Sequence, residues 1–374
     1  MSARRCRSSP DAGFASTRCP RCSSDPRTVE PVTLRLGTRR SALALAQSGH
    51  VAQAITAATG IAVELVPIVS EGDVNRASLA QLGGTGVFAT RLREALSAGE
   101  CDLLVHSLKD LPTASAPGLR IGATPVREDP RDVVVTRGPS LGELPVGATV
   151  GTGSPRRVAQ LHRRAPRVDI RDLRGNVDSR LGRVREGDLD AVVLAAAGLA
   201  RLGLFVDAGA GGPVPGAGSA ADLHFEPLGL AEWPTAAGQG ALAVEIRDDA
   251  PAAVRDAVAA LEHADTRTAV TIERAALAGI EAGCHAPVGI HAAVDGDEAR
   301  VRAVVYAPGG TARIGLDRTE SLTKGYIRES SDGNGANVAD SADPTAHAAL
   351  IGSAIARRLL ERGAGDFVSR ESSL

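Results

Sequence analysis

Beyond Val32, short apolar runs rich in β-branched residues alternate with longer stretches whose apolar positions recur at helical spacing. Such an alternation buries its hydrophobic faces by laying helices against a sheet, so it predicts α/β architecture with largely parallel sheets. Residues 33–37 read as the first strand. Ser41 is placed to cap the helix that follows, in which Leu45, Val51, Ala52 and Ile55 share a face until Gly60 stops it. A strand at 61–69, a glycine-rich loop Gly83-Gly84-Thr85-Gly86, a helix at 88–97 and a buried strand at 102–106 continue the series.

A second unit opens near Arg131, with strands at 132–136 and 149–151, a helix started by Ser154-Pro155, a strand at 168–172, a helix at 177–186 and a strand at 191–195. Serine at the cap with proline in the first helical position is a strong start signal, because the missing proline N–H has no helical partner there anyway. The Gly/Ala/Pro stretch 208–218 has little to bury and reads as a mobile insertion. After a strand at 241–246 and helices at 252–263 and 266–278 the pattern changes. Residues 288–294, 300–306 and 311–316 alternate apolar and polar positions between Asp-Gly and Gly-Gly turns, the signature of a three-stranded antiparallel meander, and a helix at 345–362 is suited to cover it. Residues 324–343 are polar and read as a further insertion.

Composition narrows the function. The 374 residues include 42 Lys+Arg and 44 Asp+Glu, a net charge of −2, so attraction for anions must come from local clusters; this argues against a nucleic-acid binder. The most apolar stretch, 191–204, is broken by Gly198, Arg201 and Gly203, so no membrane span is expected. Three of five cysteines (Cys6, Cys19, Cys22) lie in the Arg-, Ser- and Pro-rich segment 1–31, read as a disordered extension or, as a weaker alternative, an organelle transit peptide. Cys19 and Cys22 have metal-clip spacing but no second pair beside them, and no metal site is expected.

Chemistry concentrates at predicted strand ends. Asp110 and Lys109 follow a strand where open α/β sheets place ligand-handling groups, a candidate acid and a candidate anion holder, although a Lys-Asp pair in a turn is also ordinary solvated surface. Arg39 and Arg40, Arg156 and Arg157, Arg174 and Arg180 occupy similar places. Arginines in the first turn of the helix begun at Ser154 oppose the helix dipole, which hints at an anionic ligand, and the clusters together suit a compact polycarboxylate or phosphate. Cys284 lies in a short Gly/Pro loop where a thiol can be exposed and nucleophilic, although a lone cysteine is more often an inert packed one, the reading given to Cys101.

The segments Leu36-Gly-Thr-Arg39-Arg-Ser41, Gly83-Gly-Thr-Gly86-Val-Phe88, His106-Ser-Leu-Lys109-Asp110-Leu-Pro112, Arg127-Glu-Asp-Pro-Arg-Asp132, Gly151-Thr-Gly-Ser154-Pro-Arg156-Arg157, Leu173-Arg-Gly-Asn176, Ala197-Gly-Leu-Ala-Arg201, Gly238-Gln-Gly240 and Gly283-Cys284 occur in an order and spacing that resemble the porphobilinogen deaminase (hydroxymethylbilane synthase) family, from about Leu34 onward. The resemblance implies two α/β domains like type II periplasmic binding proteins around a cleft, plus a small α+β C-terminal domain with a three-stranded antiparallel sheet. On that plan residues 32–130 with 226–258 form the first domain, 131–207 the second and 259–374 the third, with 208–225 inserted between. It implies a dipyrromethane cofactor joined to Cys284 by a thioether. It also implies a transferase of tetrapyrrole (heme) biosynthesis that condenses four porphobilinogen molecules with loss of ammonia and releases hydroxymethylbilane by hydrolysis. Asp110 is then the catalytic carboxylate, and Arg39, Ser41, Gln47, Phe88, Lys109, Thr152, Ser154, Arg156, Arg157, Arg174, Gly175, Arg180, Arg201 and Gln239 match positions that hold cofactor or substrate. The expected setting is a cytoplasmic monomer that passes its product to uroporphyrinogen-III synthase. Thr85 stands where many relatives have lysine, Gly153 where many have serine and Ala42 where proline is common. A competing reading is a non-catalytic solute-binding or sensing module for a small dicarboxylate, since a two-lobed arginine-lined cleft serves that purpose too.

Overall fold

In β1 (Thr33–Thr38) Leu34 and Leu36 are buried, and Ser41 caps α1 (Ala42–Thr59) by accepting the N–H of Ala44. Gly60 ends that helix in the left-handed conformation, with φ of 74°. A parallel partner, β2 (Ala62–Pro67), and helix α2 (Val87–Ser97) follow, then β3 (Leu103–Ser107), whose first four residues are buried. The computed structural model describes residues 33–68, 87–207, 214–281, 286–323 and 344–368, all within one compact unit, Thr33–Leu374. The expectations for 1–31, for the loop 83–86 with Thr85, for 324–343 and for Cys284 fall outside the described residues.

A strand absent from the sequence reading, β4 (Leu119–Ala123), completes the first lobe before the chain crosses to β5 (Asp132–Thr136). The second lobe adds β6 (Thr149–Gly151), α3 (Pro155–Arg164), β7 (Asp169–Arg171), α4 (Val177–Arg185), β8 (Ala191–Ala195) and α5 (Ala196–Arg201). It closes with β9 (Val214–Pro215) and β10 (His224–Pro227), after which β11 (Leu242–Arg247) returns to the first sheet. The strand orders are β2-β1-β3-β11-β4 and β7-β6-β8-β5-β10-β9. In each, the strand that has just crossed from the other lobe runs antiparallel between the third and fourth parallel strands. This is the two-lobed type II arrangement implied by the resemblance; four strands of each sheet run parallel, as expected, and the crossing strand is antiparallel because it enters its sheet from the opposite end.

The expected insertion 208–225 is also corrected over its described part. Val214, Ala220, Leu223 and Phe225 are buried in the core of the second lobe, where the rings of Phe205 and Phe225 stack with centroids 5.7 Å apart. Their apolar side chains are spaced by small residues, which hides the strands from a pattern search. β10 pairs with β5, and Leu228 and Trp233 pack with Val134 and Val150, so the chain leaves the second lobe after Trp233 rather than at residue 226.

Helices α6 (Ala252–Ala259) and α7 (Ala264–Gly279) lead to the third sheet, an antiparallel meander of β12 (Val288–Asp295), β13 (Glu298–Tyr306) and β14 (Arg313–Ser321), as the alternation predicted. α7 and α8 (Pro344–Glu361) cover it, with Ile272, Ala276, Ile351 and Ile355 against Ile290, Val301 and Ala303. No described helix is long and apolar enough to cross a membrane.

Candidate active site

The candidate residues gather where strands of the two lobes end. Arg39, half-buried, and Ser41 follow β1; Gln47, on the inner face of α1, donates to Ser107 Oγ at the end of the neighbouring β3 (2.9 Å). From Ser107 the chain turns through one 3-10 turn, Leu108–Asp110, anchored by Leu108 N–H to the Ala241 carbonyl (3.0 Å). Leu108 is buried beneath the turn and Asp110 is exposed at its tip. The half-buried Lys109 points back and donates from Nζ to Gln239 Oε1 (3.2 Å). Burial pushes its ammonium down to about 8, against the pull of Asp110; Arg157 and Arg156 lower it further, while Asp132 supports it.

Gln239 joins the lobes. Its Nε2 donates to the Pro130 carbonyl (2.9 Å) and to Asp132 Oδ1 (2.8 Å). Gly238 and Gly240 flank it with φ of 75° and 89°, and a Cβ at Gly240 would strike the Glu128 carbonyl, so the Gly-Gln-Gly spacing follows from the backbone path. Asp132, fully buried, is the hub. Its carboxylate accepts from Arg156 Nη2 (2.9 Å), Arg157 Nη2 (2.6 Å) and Nε (3.1 Å), Trp233 Nε1 (2.8 Å) and Gln239. Burial alone would raise this carboxyl, yet the two guanidiniums hold it far below the usual range.

Arg156 and Arg157, which the resemblance matched to cofactor- or substrate-holding positions, lie inside this network. Both are buried, at 3% and 7% exposure, and their donors go to Asp132, to Gln160 Oε1 (2.7 Å) and to the Val193 carbonyl (2.7 Å). The helix-start conflict that suggested a ligand is met by an internal carboxylate. Asp132 itself was missed, although a charged residue opening an otherwise apolar, wholly buried strand is a signal for a buried counter-ion.

Around this network lie the remaining candidates. Thr152 is buried, and its Oγ1 accepts the Ser154 N–H (3.3 Å), whereas the Ser154 hydroxyl makes no capping bond to α3. Gly153, at the position where many relatives have serine, has the Leu173 carbonyl 2.8 Å from the place a Cβ would occupy, so a side chain here would force this backbone to shift. Exposed Arg174 pairs loosely with Asp172 (3.5 Å), and Gly175, with φ of 113°, presents its carbonyl to Arg180 Nε (2.9 Å). Arg180 is lowered by burial and then by the positive charges of Arg157 and Arg174, so cations crowd here. Arg201 donates to the Gly240 carbonyl (2.7 Å), which ties it to the Gln239 loop. Phe88 lies at the start of α2, and its side chain is outside the described set. A cavity of about 810 Å³ opens beside Thr152, Gly153 and Arg174 and reaches Pro287, Pro308 and Gly309 of the third sheet.

The arrangement suits a ligand with several carboxylates. Two family models match the chain: "Porphobilinogen deaminase, dipyromethane cofactor binding domain" over residues 34–255, and "Porphobilinogen deaminase, C-terminal domain" over residues 267–327. The chain belongs to the porphobilinogen deaminase family. It is 52% identical over 296 residues to the porphobilinogen deaminase of Leifsonia xyli subsp. xyli, covering 78% of this chain and 85% of that one. It is 44% identical over 337 residues to that of Thermobifida fusca, covering 90% and 95%. To porphobilinogen deaminase 1 of Streptomyces coelicolor it is 50% identical over 296 residues, covering 76% and 88%. The family's cofactor is dipyrromethane, and the donors present fit its acetate and propionate groups: Arg174 is a cation beside open space, Arg180 is a second cation close to it, and the Ser154 hydroxyl is not used by its helix.

Proposed function

We propose that this porphobilinogen deaminase works with Cys284 as the point of cofactor attachment, Asp110 as its catalytic carboxylate, and Arg39, Ser41, Lys109, Thr152, Ser154, Arg174 and Arg180 as holders of acetate and propionate groups. The reaction joins four porphobilinogen units head to tail, each losing ammonia, and ends in hydrolysis to hydroxymethylbilane. When bound, the dipyrromethane supplies the pyrrole α-carbon onto which units are joined. Asp110, exposed at the end of β3, donates a proton to the departing amine of porphobilinogen and then faces the cationic pyrrole left behind. At about 4 Å and an effective dielectric near 20, that attraction is worth roughly 4 kcal/mol. Arg156 and Arg157 stand one layer behind and, with Asp132, keep the strand ends of both lobes in register. The open cavity lined by Thr152 and the exposed Arg174, next to a Ser154 hydroxyl that its helix does not use, is the observation that supports the carboxylate-holding part of this assignment.

The same reading divides the chain into three domains: the first built on β1 to β4 and β11, the second on β5 to β10, the third on the meander. It places the enzyme in the cytoplasm as a monomer whose acyclic product passes to uroporphyrinogen-III synthase. Intact-mass measurement of the purified chain tests the central assignment. The expected result is an added dipyrromethane mass that disappears in Cys284→Ala together with turnover, and an unmodified, fully active wild type would reject it.

A further inference from the structure

On α7, Thr266, Val270, Glu273 and Arg274 stand four, seven and eight positions apart, which puts them on one face of the helix. That face meets both loops of the candidate site. Val270 packs with Leu108 and Leu111, the apolar underside of the turn that ends in Asp110. Thr266 Oγ1 accepts the Arg127 N–H (3.1 Å). The half-buried Arg274 donates from Nη1 to the Leu111 carbonyl (3.0 Å), with a weaker approach to that of Leu108 (3.4 Å), and from Nη2 to the Pro112 carbonyl (2.6 Å). A single 3-10 turn leaves most of its carbonyls unsatisfied, and one planar guanidinium here serves those on either side of Asp110.

Glu273 does the corresponding work on the other loop. Its fully buried carboxylate accepts from Gly238 N–H (2.6 Å), Ala292 N–H (2.7 Å) and both terminal nitrogens of Arg127 (2.7 and 3.0 Å), while Arg127 Nε holds the Gln239 carbonyl (2.9 Å). Gln239 in turn carries Lys109. Two adjacent residues of the helix that precedes the Cys284 segment in sequence therefore grip the turn bearing Lys109 and Asp110 and the loop bearing Gln239.

We propose that Arg274 is a positioning residue that holds the Leu108–Asp110 turn in register, so that the carboxylate of Asp110 meets the reacting pyrrole, with Glu273 fixing Gln239 beside it. The proposal rests on the assignment of Asp110 made above. It does not involve binding of substrate by Arg274.

The test compares wild type, Arg274→Met and Arg274→Lys by steady-state kinetics with porphobilinogen and by hydrogen–deuterium exchange. In Arg274→Met, kcat falls about ten- to hundred-fold while KM stays within about threefold, the pattern of a displaced catalytic group rather than a lost binding contact. Amide exchange rises across 108–112 and is unchanged in β1. Arg274→Lys, which keeps the charge but cannot span the carbonyls, falls between. A kcat within twofold of wild type in Arg274→Met, or unchanged exchange across 108–112 in both variants, overturns the proposal. The exchange measurement is independent of activity: a wild type that does not consume porphobilinogen refutes the roles of Asp110 and Cys284, while the exchange data still decide whether Arg274 clamps the turn.

Discussion

Replacing Asp132 with asparagine removes one negative charge from a point at which two buried guanidiniums, an indole N–H and a side-chain amide all converge. Asparagine keeps one acceptor oxygen but turns amide hydrogens toward an arginine, so Arg156 and Arg157 are left buried without a counter-ion. Breaking a buried ion pair by deleting one partner costs about 3–5 kcal/mol, because the orphaned charge retains its desolvation penalty. With a urea m-value near 3 kcal/mol/M, the unfolding midpoint should drop by roughly 1 to 1.7 M. The loss should also depend on pH. Asp132 is held far below the usual carboxylate range in the folded chain, so its contribution is complete above its unfolded pKa of about 3.9 and fades as pH falls below that value. Urea titrations at pH 7 and pH 3.5, followed by tryptophan fluorescence, read both effects, since Trp233 donates to the same carboxylate. A midpoint change worth less than about 1 kcal/mol at pH 7 would refute the view that this carboxylate is the needed counter-ion of Arg156 and Arg157.

Three other outcomes concern catalysis. Asp110→Asn should unfold at the wild-type temperature yet turn over two to four decades more slowly, roughly the range of general acid–base contributions; near-normal turnover removes Asp110 from the mechanism. If the charged form of Lys109 holds a carboxylate, kcat/KM should decline as pH rises through about 8, and in Lys109→Arg that alkaline limb should move up or vanish; an unmoved limb assigns it to another group. Arg180→Ala should raise KM by about 1.5–3 kcal/mol, roughly ten- to a hundredfold, as expected for loss of a charge-assisted bond, and unchanged kinetics would make this arginine structural.

Much of this was legible in the chain itself. Period-two alternation within 288–316 specifies an antiparallel meander because successive strand side chains face opposite sides, and the caps Ser41 and Gly60 mark a helix because backbone groups at its ends need partners. The strand-end placement of Asp110, Lys109 and Arg174 was likewise a local property, and the ordered motifs were sufficient for the family. Tertiary structure decided what local pattern cannot carry. Phe225 and Val214 belong to the second core only because a distant strand, β5, lies beside them. Arg156 and Arg157 are buried counter-ions because Asp132, more than twenty residues away in sequence, meets them at hydrogen-bond distance. Charge is read along the chain, but whether a charge is spent inside or left for a ligand is fixed by which opposite charge folding brings within a few ångströms.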